Sequence, residues 1–463
     1  MAGIGFKIEK ILKEDSFLSV VKAHIYSSFI SSGPWILSII TIFCLNYFSP
    51  CNIDSFEMAY FKTSIIYIFA LSLIVTGAFY LSLSRYMSDK LYKKDEEALI
   101  PIFNSASILL LSIQSVLGWF IFYRSSLNFY SGTLSVMIYL AVSMLWLIML
   151  FLSTLKDYKI ITIFYFIGTV ITIFSAYPLG EKFGLNGYFA SYFLGQFFIV
   201  VLLAGRIFIE FKSEEIIDKE LLKCLINKKT LVLTGIFYNL AVWIDKIIFW
   251  VSAKSIHISG ILRFSPEYDS AVFLAYITLL PSFSIFLMHV ETSFYRSYKR
   301  FYDKVLGKAV YRDIQLAKSG IAHSLRESVN SLLASQGVIT LLFITFAPSI
   351  AELLKLKSVS IPIFRITTLG AFAHSLLLSL IIIILYFDFQ KLALGVTILF
   401  LATNALFTFI SASFDVPYFG YGYFFSTVIT LITAFYMFDF KLNRLEYLTF
   451  TSQPLGAQRE EQA

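Results

Sequence analysis

The chain is written as long apolar runs separated by short polar stretches, and the runs have the length that crosses a bilayer. A transmembrane helix needs about 20 mostly apolar residues. Twelve segments of that kind can be read, at 23–46, 62–85, 102–123, 133–155, 159–180, 185–208, 229–251, 270–292, 333–353, 361–387, 391–412 and 417–438. Runs such as SLLLSLIIIILYF lack the two-residue alternation of a closed barrel, so the spans are predicted to be helices. The predicted fold class is an all-α polytopic membrane protein with 12 transmembrane helices. The polar stretch from Phe211 to Thr230 divides the spans six and six, which suggests two six-helix bundles. The expected organisation is a leading segment 1–22, an N-lobe 23–210, a linker 211–228, a C-lobe 229–440 with an inner loop 293–332, and a tail 441–463.

Composition agrees with the pattern. The 463 residues are 58% hydrophobic and 14% charged, whereas a soluble domain carries about a quarter charged residues. Water-soluble enzyme folds are excluded. The net charge of +7 does not argue for nucleic acid, because lysine and arginine also set membrane orientation. The amino terminus and every second connection after it hold 28 of the 37 basic residues, and the intervening connections hold 8. That asymmetry predicts a membrane protein with both termini in the cytoplasm and an even number of spans.

The first apolar run is preceded by 22 residues and followed by no small-residue cleavage site, so it is expected to stay as a span. Before it, Ile4, Ile8, Ile11 and Leu12 alternate with Lys7, Lys10 and Lys13, the pattern of a short helix lying on the inner leaflet. In the inner loop, SFYRSYKRFYDKVL places Phe294, Tyr298, Phe301, Tyr302 and Val305 at helical spacing. Its polar face carries Arg296, Lys299, Arg300 and Lys304. These four and Tyr302 are candidates for docking a cytoplasmic partner, with anchoring on anionic lipid as the alternative.

No phosphate-cradling G-x-x-x-x-G-K-[ST] and no G-x-S-x-G occurs, so neither ATP hydrolysis by that route nor a serine hydrolase is indicated. Three cysteines and five histidines are too few and too scattered for a disulfide framework or a metal site, and no cofactor is implied. Ionisable residues inside spans are the default functional candidates, since each costs about 2.5 to 3.5 kcal/mol at a span centre. Asp245 and Lys246 stand together in NLAVWIDKIIFW. The lysine stem could snorkel to the headgroups, while the shorter aspartate needs water, a partner or a proton. Neighbours in sequence diverge on a helix, so a mutual pair is not expected, and a wet cavity beside this span is. Arg85, Arg365, His289 and Glu291 fall near span ends, where headgroup contact is expected, and His374 lies deeper.

Neutral polar residues are spread over other spans: Ser31, Ser32, Gln114, Gln196, Asn239 and Asn404. Some will serve interhelical packing. A path lined by uncharged donors and acceptors would suit a hydrated, uncharged substrate. In ISSGPW, Gly33, Pro34 and Trp35 predict a kink, because proline removes a backbone donor and clashes with the preceding turn.

The opening MAGIGFKIEKILKEDSFLSVVKAHIYSSFISSGPWILSI, the WIDKIIFW run and the stretch GILRFSPEYDSAVFLAYITLLPSFSIFLMHVETSFYRSYKRFYDKV closely resemble the PelG family. This family comprises inner-membrane transporters of the Pel exopolysaccharide system, within the flippase superfamily that also holds MATE and Wzx-like transporters. The resemblance runs the whole chain except the tail TSQPLGAQREEQA. It implies two pseudo-symmetric six-helix lobes around a central cavity that opens alternately to either side. It also implies a nascent, acetylated, N-acetylgalactosamine-rich cargo, a PelF-like cytoplasmic glycosyltransferase, and the membrane partners PelD and PelE. The rival readings are a lipid-linked oligosaccharide flippase or MATE-like cation-coupled exporter, a membrane glycosyltransferase using outer-loop acids such as Asp54 and Glu57, and a synthase scaffold.

Overall fold

The computed structural model describes residues 37–38, 40–42, 44–45, 53–155, 158–354 and 356–451. The leading segment, the kink from Ser31 to Trp35 and the last twelve residues lie outside these. At the end of the expected first span, Leu37, Thr41 and Leu45 are helical and buried at four-residue spacing. Among the described residues, ten helices are long and apolar enough to cross a membrane.

The first half contains α1 (Ser55–Tyr92), α2 (Leu99–Gly118) ending in a π-turn, α3 (Phe129–Leu155), α4 (Tyr158–Phe183) and α5 (Leu185–Glu210). A short α6 (Leu221–Asn227) sits in the polar interruption. The second half contains α7 (Lys229–Val251), α8 (Pro266–Ile277), α9 (Leu280–His289), α10 (Tyr295–Leu306) and α11 (Tyr311–Thr345). These are followed by α12 (Ala347–Leu353), α13 (Ser360–Tyr386), α14 (Gln390–Ala412), α15 (Tyr421–Asn443) and α16 (Leu445–Thr451). Large apolar side chains stay exposed along outward helix faces, including Phe166 and Phe174 on α4 and Ile432 and Phe435 on α15. Such faces suit hydrocarbon rather than water.

At 38 residues, α1 is about 57 Å long, nearly twice the thickness of a bilayer core. Its start is set by a capping box: the Glu57 amide donates to Asp54 Oδ1 at 2.6 Å, and the Asp54 amide to Glu57 Oε2 at 3.4 Å. The two acids weighed for glycosyl transfer therefore satisfy a helix end.

The expected span 270–292 is broken. Pro281 offers no amide to the carbonyl of Ile277, and the chain pauses between α8 and α9. Gln336 of α11 fills the break, donating to the Thr278 carbonyl at 2.9 Å and accepting from Ser282 Oγ at 2.5 Å. The expected inner loop is mostly helical: α10 is amphipathic as predicted, with Phe301 and Val305 buried, but α11 begins at Tyr311 and runs unbroken into its span. Between α7 and α8 a β-hairpin pairs β1 (Ile256–Ser259) with β2 (Leu262–Phe264), an exception to the predicted all-helical pattern.

The halves meet along α1 and α7, which run antiparallel. Tyr67 stacks on Trp250 near one end, with ring centroids 4.3 Å apart. Midway the backbones nearly touch, and a Cβ on Gly235 would lie 2.0 Å from the Gly77 carbonyl oxygen. At the other end Lys228 Nζ pairs with Asp89 Oδ2 at 2.5 Å.

Candidate functional site

The polar centre of the second half is built on α7 and closed by α8, α13 and α15. Asp245 is fully buried and Lys246 is 5% exposed. Both side chains point into the bundle, so Lys246 does not snorkel. They form a mutual pair, against expectation: Lys246 Nζ is 3.0 Å from both Asp245 carboxylate oxygens. Divergence of neighbouring positions applies to Cβ vectors, whereas a four-carbon stem can fold back along its own helix. The ammonium also donates to the Val242 carbonyl at 2.9 Å and to the Tyr276 hydroxyl at 3.0 Å, so all its protons are used.

Tyrosines complete the shell. Tyr268 donates to Asp245 Oδ2 at 2.5 Å. The Tyr276 ring lies under the ammonium, 4.7 Å from Nζ to centroid, and its hydroxyl contacts that of Tyr423. Tyr423 in turn meets His374 Nδ1 at 2.9 Å, and His374 Nε2 meets the Tyr238 hydroxyl at 3.1 Å. A chain of hydrogen-bonding groups therefore runs from Asp245 through Lys246, Tyr276, Tyr423 and His374 to Tyr238. Burying two charges is unfavourable unless geometry and further hydrogen bonds compensate them, which this shell supplies. Among the described residues, protein groups supply that compensation.

Outside this centre, Asp269 accepts from Trp250 Nε1 at 3.0 and 3.1 Å and from the Ser265 amide at 2.9 Å. This ties the base of α8 to the tryptophan that stacks on Tyr67.

The remaining neutral candidates do not converge. Asn404 binds α14 to α7 by donating to the Ala241 carbonyl at 2.8 Å, and Asn239 donates to Gly235 at 2.9 Å beside the close approach to Gly77. Gln114 belongs to the first half, where it accepts from Tyr139 and donates to the Ser72 carbonyl at 3.4 Å. Gln196 is buried on α5. Arg365 donates to the Ile344 carbonyl at 3.2 Å. Tyr238, Tyr268, Tyr276, Tyr423 and Gln336 were missed, and of these only Tyr238, in the middle of the span 229–251, stood out by position in the sequence. Among the described residues, no cluster of three His, Cys, Asp or Glu is placed to hold a metal ion.

Compared with known families, residues 1–450 match the PelG exopolysaccharide exporters (EPS-E). The chain belongs to the PelG family. No curated protein sequence matches significantly. Solved structures show the fold. An outward-facing multidrug resistance MATE transporter of the MOP superfamily is similar at TM-score 0.62 and 13% identity, covering 92% of this chain and 97% of that one. A MOP superfamily transporter from Pyrococcus furiosus, whose binding pocket is described as reversed in polarity, gives 0.59 at 12%, covering 92% and 96%. The Vibrio cholerae MATE transporter VcmN, in mutant form, gives 0.61 at 10%, covering 95% and 98%. The chain is thus a polytopic membrane protein of MATE/MOP transporter fold, in a family of exopolysaccharide exporters.

Proposed function

We propose that this PelG family member passes a nascent, uncharged, N-acetylgalactosamine-rich polymer outward across the bacterial inner membrane. The path runs between an N-lobe of 23–210 and a C-lobe of 229–440, and both termini are cytoplasmic. The polymer is fed by a PelF-like cytoplasmic glycosyltransferase, with PelD and PelE as membrane partners. The observation that carries this reading is the family match over residues 1–450. The chemistry of the site is compatible with an uncharged cargo, because the one charge pair of the centre is neutralised internally.

The exposed basic face of α10, with Arg296, Lys299 and Arg300, is where the synthase would dock. Lys304 and Tyr302 contribute less directly, since Lys304 pairs with Asp313 at 3.2 Å and Tyr302 packs on Tyr298. The MATE-like fold favours a cation-coupled exporter as the second reading. The deciding experiment compares secreted with cell-retained polymer in cells carrying Asp245→Asn or Lys246→Ala. Retained polymer with intact synthesis supports export by this chain. Normal secretion in both variants, with loss only on changing the α10 face, would leave a scaffold.

A further inference from the structure

Where α1 ends, α6 and Lys228, the residue that precedes α7, close a pocket of about 320 Å³ that the export reading does not use. Four lysines line it: Lys90, Lys93, Lys223 and Lys228. Two carboxylates line it beside them, and a third, Asp218, accepts from the hydroxyl of the wall residue Tyr86 at 2.9 Å. Asp89 is already shared between Arg85 at 3.3 Å and Lys228 at 2.5 Å, and Glu220 sits at the rim. Lys90 is paired with Asp95 at 3.1 Å. Lys93 and Lys223 are exposed and make no ion pair among the described residues. The Tyr86 ring forms one wall, with the ammonium groups of Lys90 and Lys228 5.9 and 6.0 Å from its centroid. The unpaired Lys93 and Lys223 therefore leave the lining a surplus of positive charge, and the pocket is partly apolar and large enough for a small phosphorylated group.

A second observation identifies the source of that phosphate. Beside the lysines the same segment exposes Ile216, Ile217, Leu222 and Ile226, the last at 72%. On a membrane protein, lysines flanked by exposed aliphatic side chains place the charges among headgroups and the apolar groups at the acyl boundary. A soluble phosphate would leave four large apolar side chains without a role. We propose that this pocket binds the headgroup of an anionic phospholipid at the junction between the two halves of the chain. Because the pocket holds the Lys228–Asp89 contact, lipid bound there would bear on the α1/α7 seam. The proposal does not depend on the cargo.

The test uses the full-length protein purified in detergent, with native mass spectrometry counting retained phosphatidylglycerol against phosphatidylcholine. The expected result is preferential retention of phosphatidylglycerol. Lys93→Gln combined with Lys223→Gln should weaken it about thirtyfold, since each lysine near an anionic surface is worth roughly fivefold. The charge-reversed pair Lys93→Glu and Lys223→Glu should weaken it further. Lys182→Gln, far along the chain, should leave it unchanged, and the unfolding temperature should not move because both pocket lysines are exposed. Equal retention of the two lipids, or equal retention by the wild type and the double variant, would overturn the proposal. Displacement of the lipid by inorganic diphosphate would also overturn it, pointing to a soluble phosphate ligand.

Discussion

The two halves of this chain bury polar groups in different ways. In the first half the interior network is neutral. Gln114 links Tyr139 to the Ser72 carbonyl, Trp146 Nε1 donates to Ser72 Oγ at 3.1 Å, and every member joins one helix to the next. In the second half the interior network is built around charge, with Lys246 and Asp245 held by tyrosines and continued through His374. A neutral network binds helices together and tolerates trimming. A charged network must be complete, because each member removed leaves another uncompensated. The difference makes the second half the one whose interior is more sensitive to loss of a single side chain.

The largest expected effect comes from separating the charges. Lys246→Ala leaves a buried carboxylate without its cation, which should lower stability by about 3–5 kcal/mol and stop polymer secretion. Thermal unfolding in detergent together with a secretion assay checks both, and an effect no larger than that of Gln114→Leu would erase the distinction between the halves. Next is the seam that joins them. Gly235→Ala places a Cβ 2.0 Å from the Gly77 oxygen, forcing α1 and α7 apart at a cost of about 1–3 kcal/mol. Crosslinking of cysteines placed at 67 and 250 should fall in that variant if the seam is rigid.

His374→Leu deprives the Tyr238 and Tyr423 hydroxyls of their shared partner and should cost about 1–3 kcal/mol. In the first half, Gln114→Leu should cost about 1 kcal/mol and leave secretion intact, as measured in the same assays. The smallest stability effect belongs to Lys299→Gln with Arg300→Gln. The unfolding temperature should not change, and secretion should drop only if that face docks the synthase.

Much of the fold was legible because span length is a strong physical constraint. The ten long helices fall where apolar runs of about 20 residues stand, and the family-specific stretches around the opening and WIDKIIFW carried the transporter reading. The break in the eighth run was not legible, because composition registers hydrophobicity but not the missing amide of Pro281. The inner loop misled because the first turns of α11 are polar enough to pass for loop, though Ile314, Ala317 and Ile321 keep a helical stripe.

At the site, Asp245 and Lys246 were visible as charges in a span, while their pairing was not, since it depends on how a long side chain folds back. The tyrosine shell was hidden among 28 tyrosines in a sequence where aromatic residues crowd every interface. Gln336 was invisible because its role exists only once α8 and α9 have separated.

The central claim is that Asp245 and Lys246 act as one neutral unit inside the second half. A double-mutant cycle on unfolding temperature, using Asp245→Asn, Lys246→Met and both together, tests it directly. A strong coupling is expected, with the double variant more stable than the Lys246→Met single. If the two losses simply add, the residues act independently and the account fails.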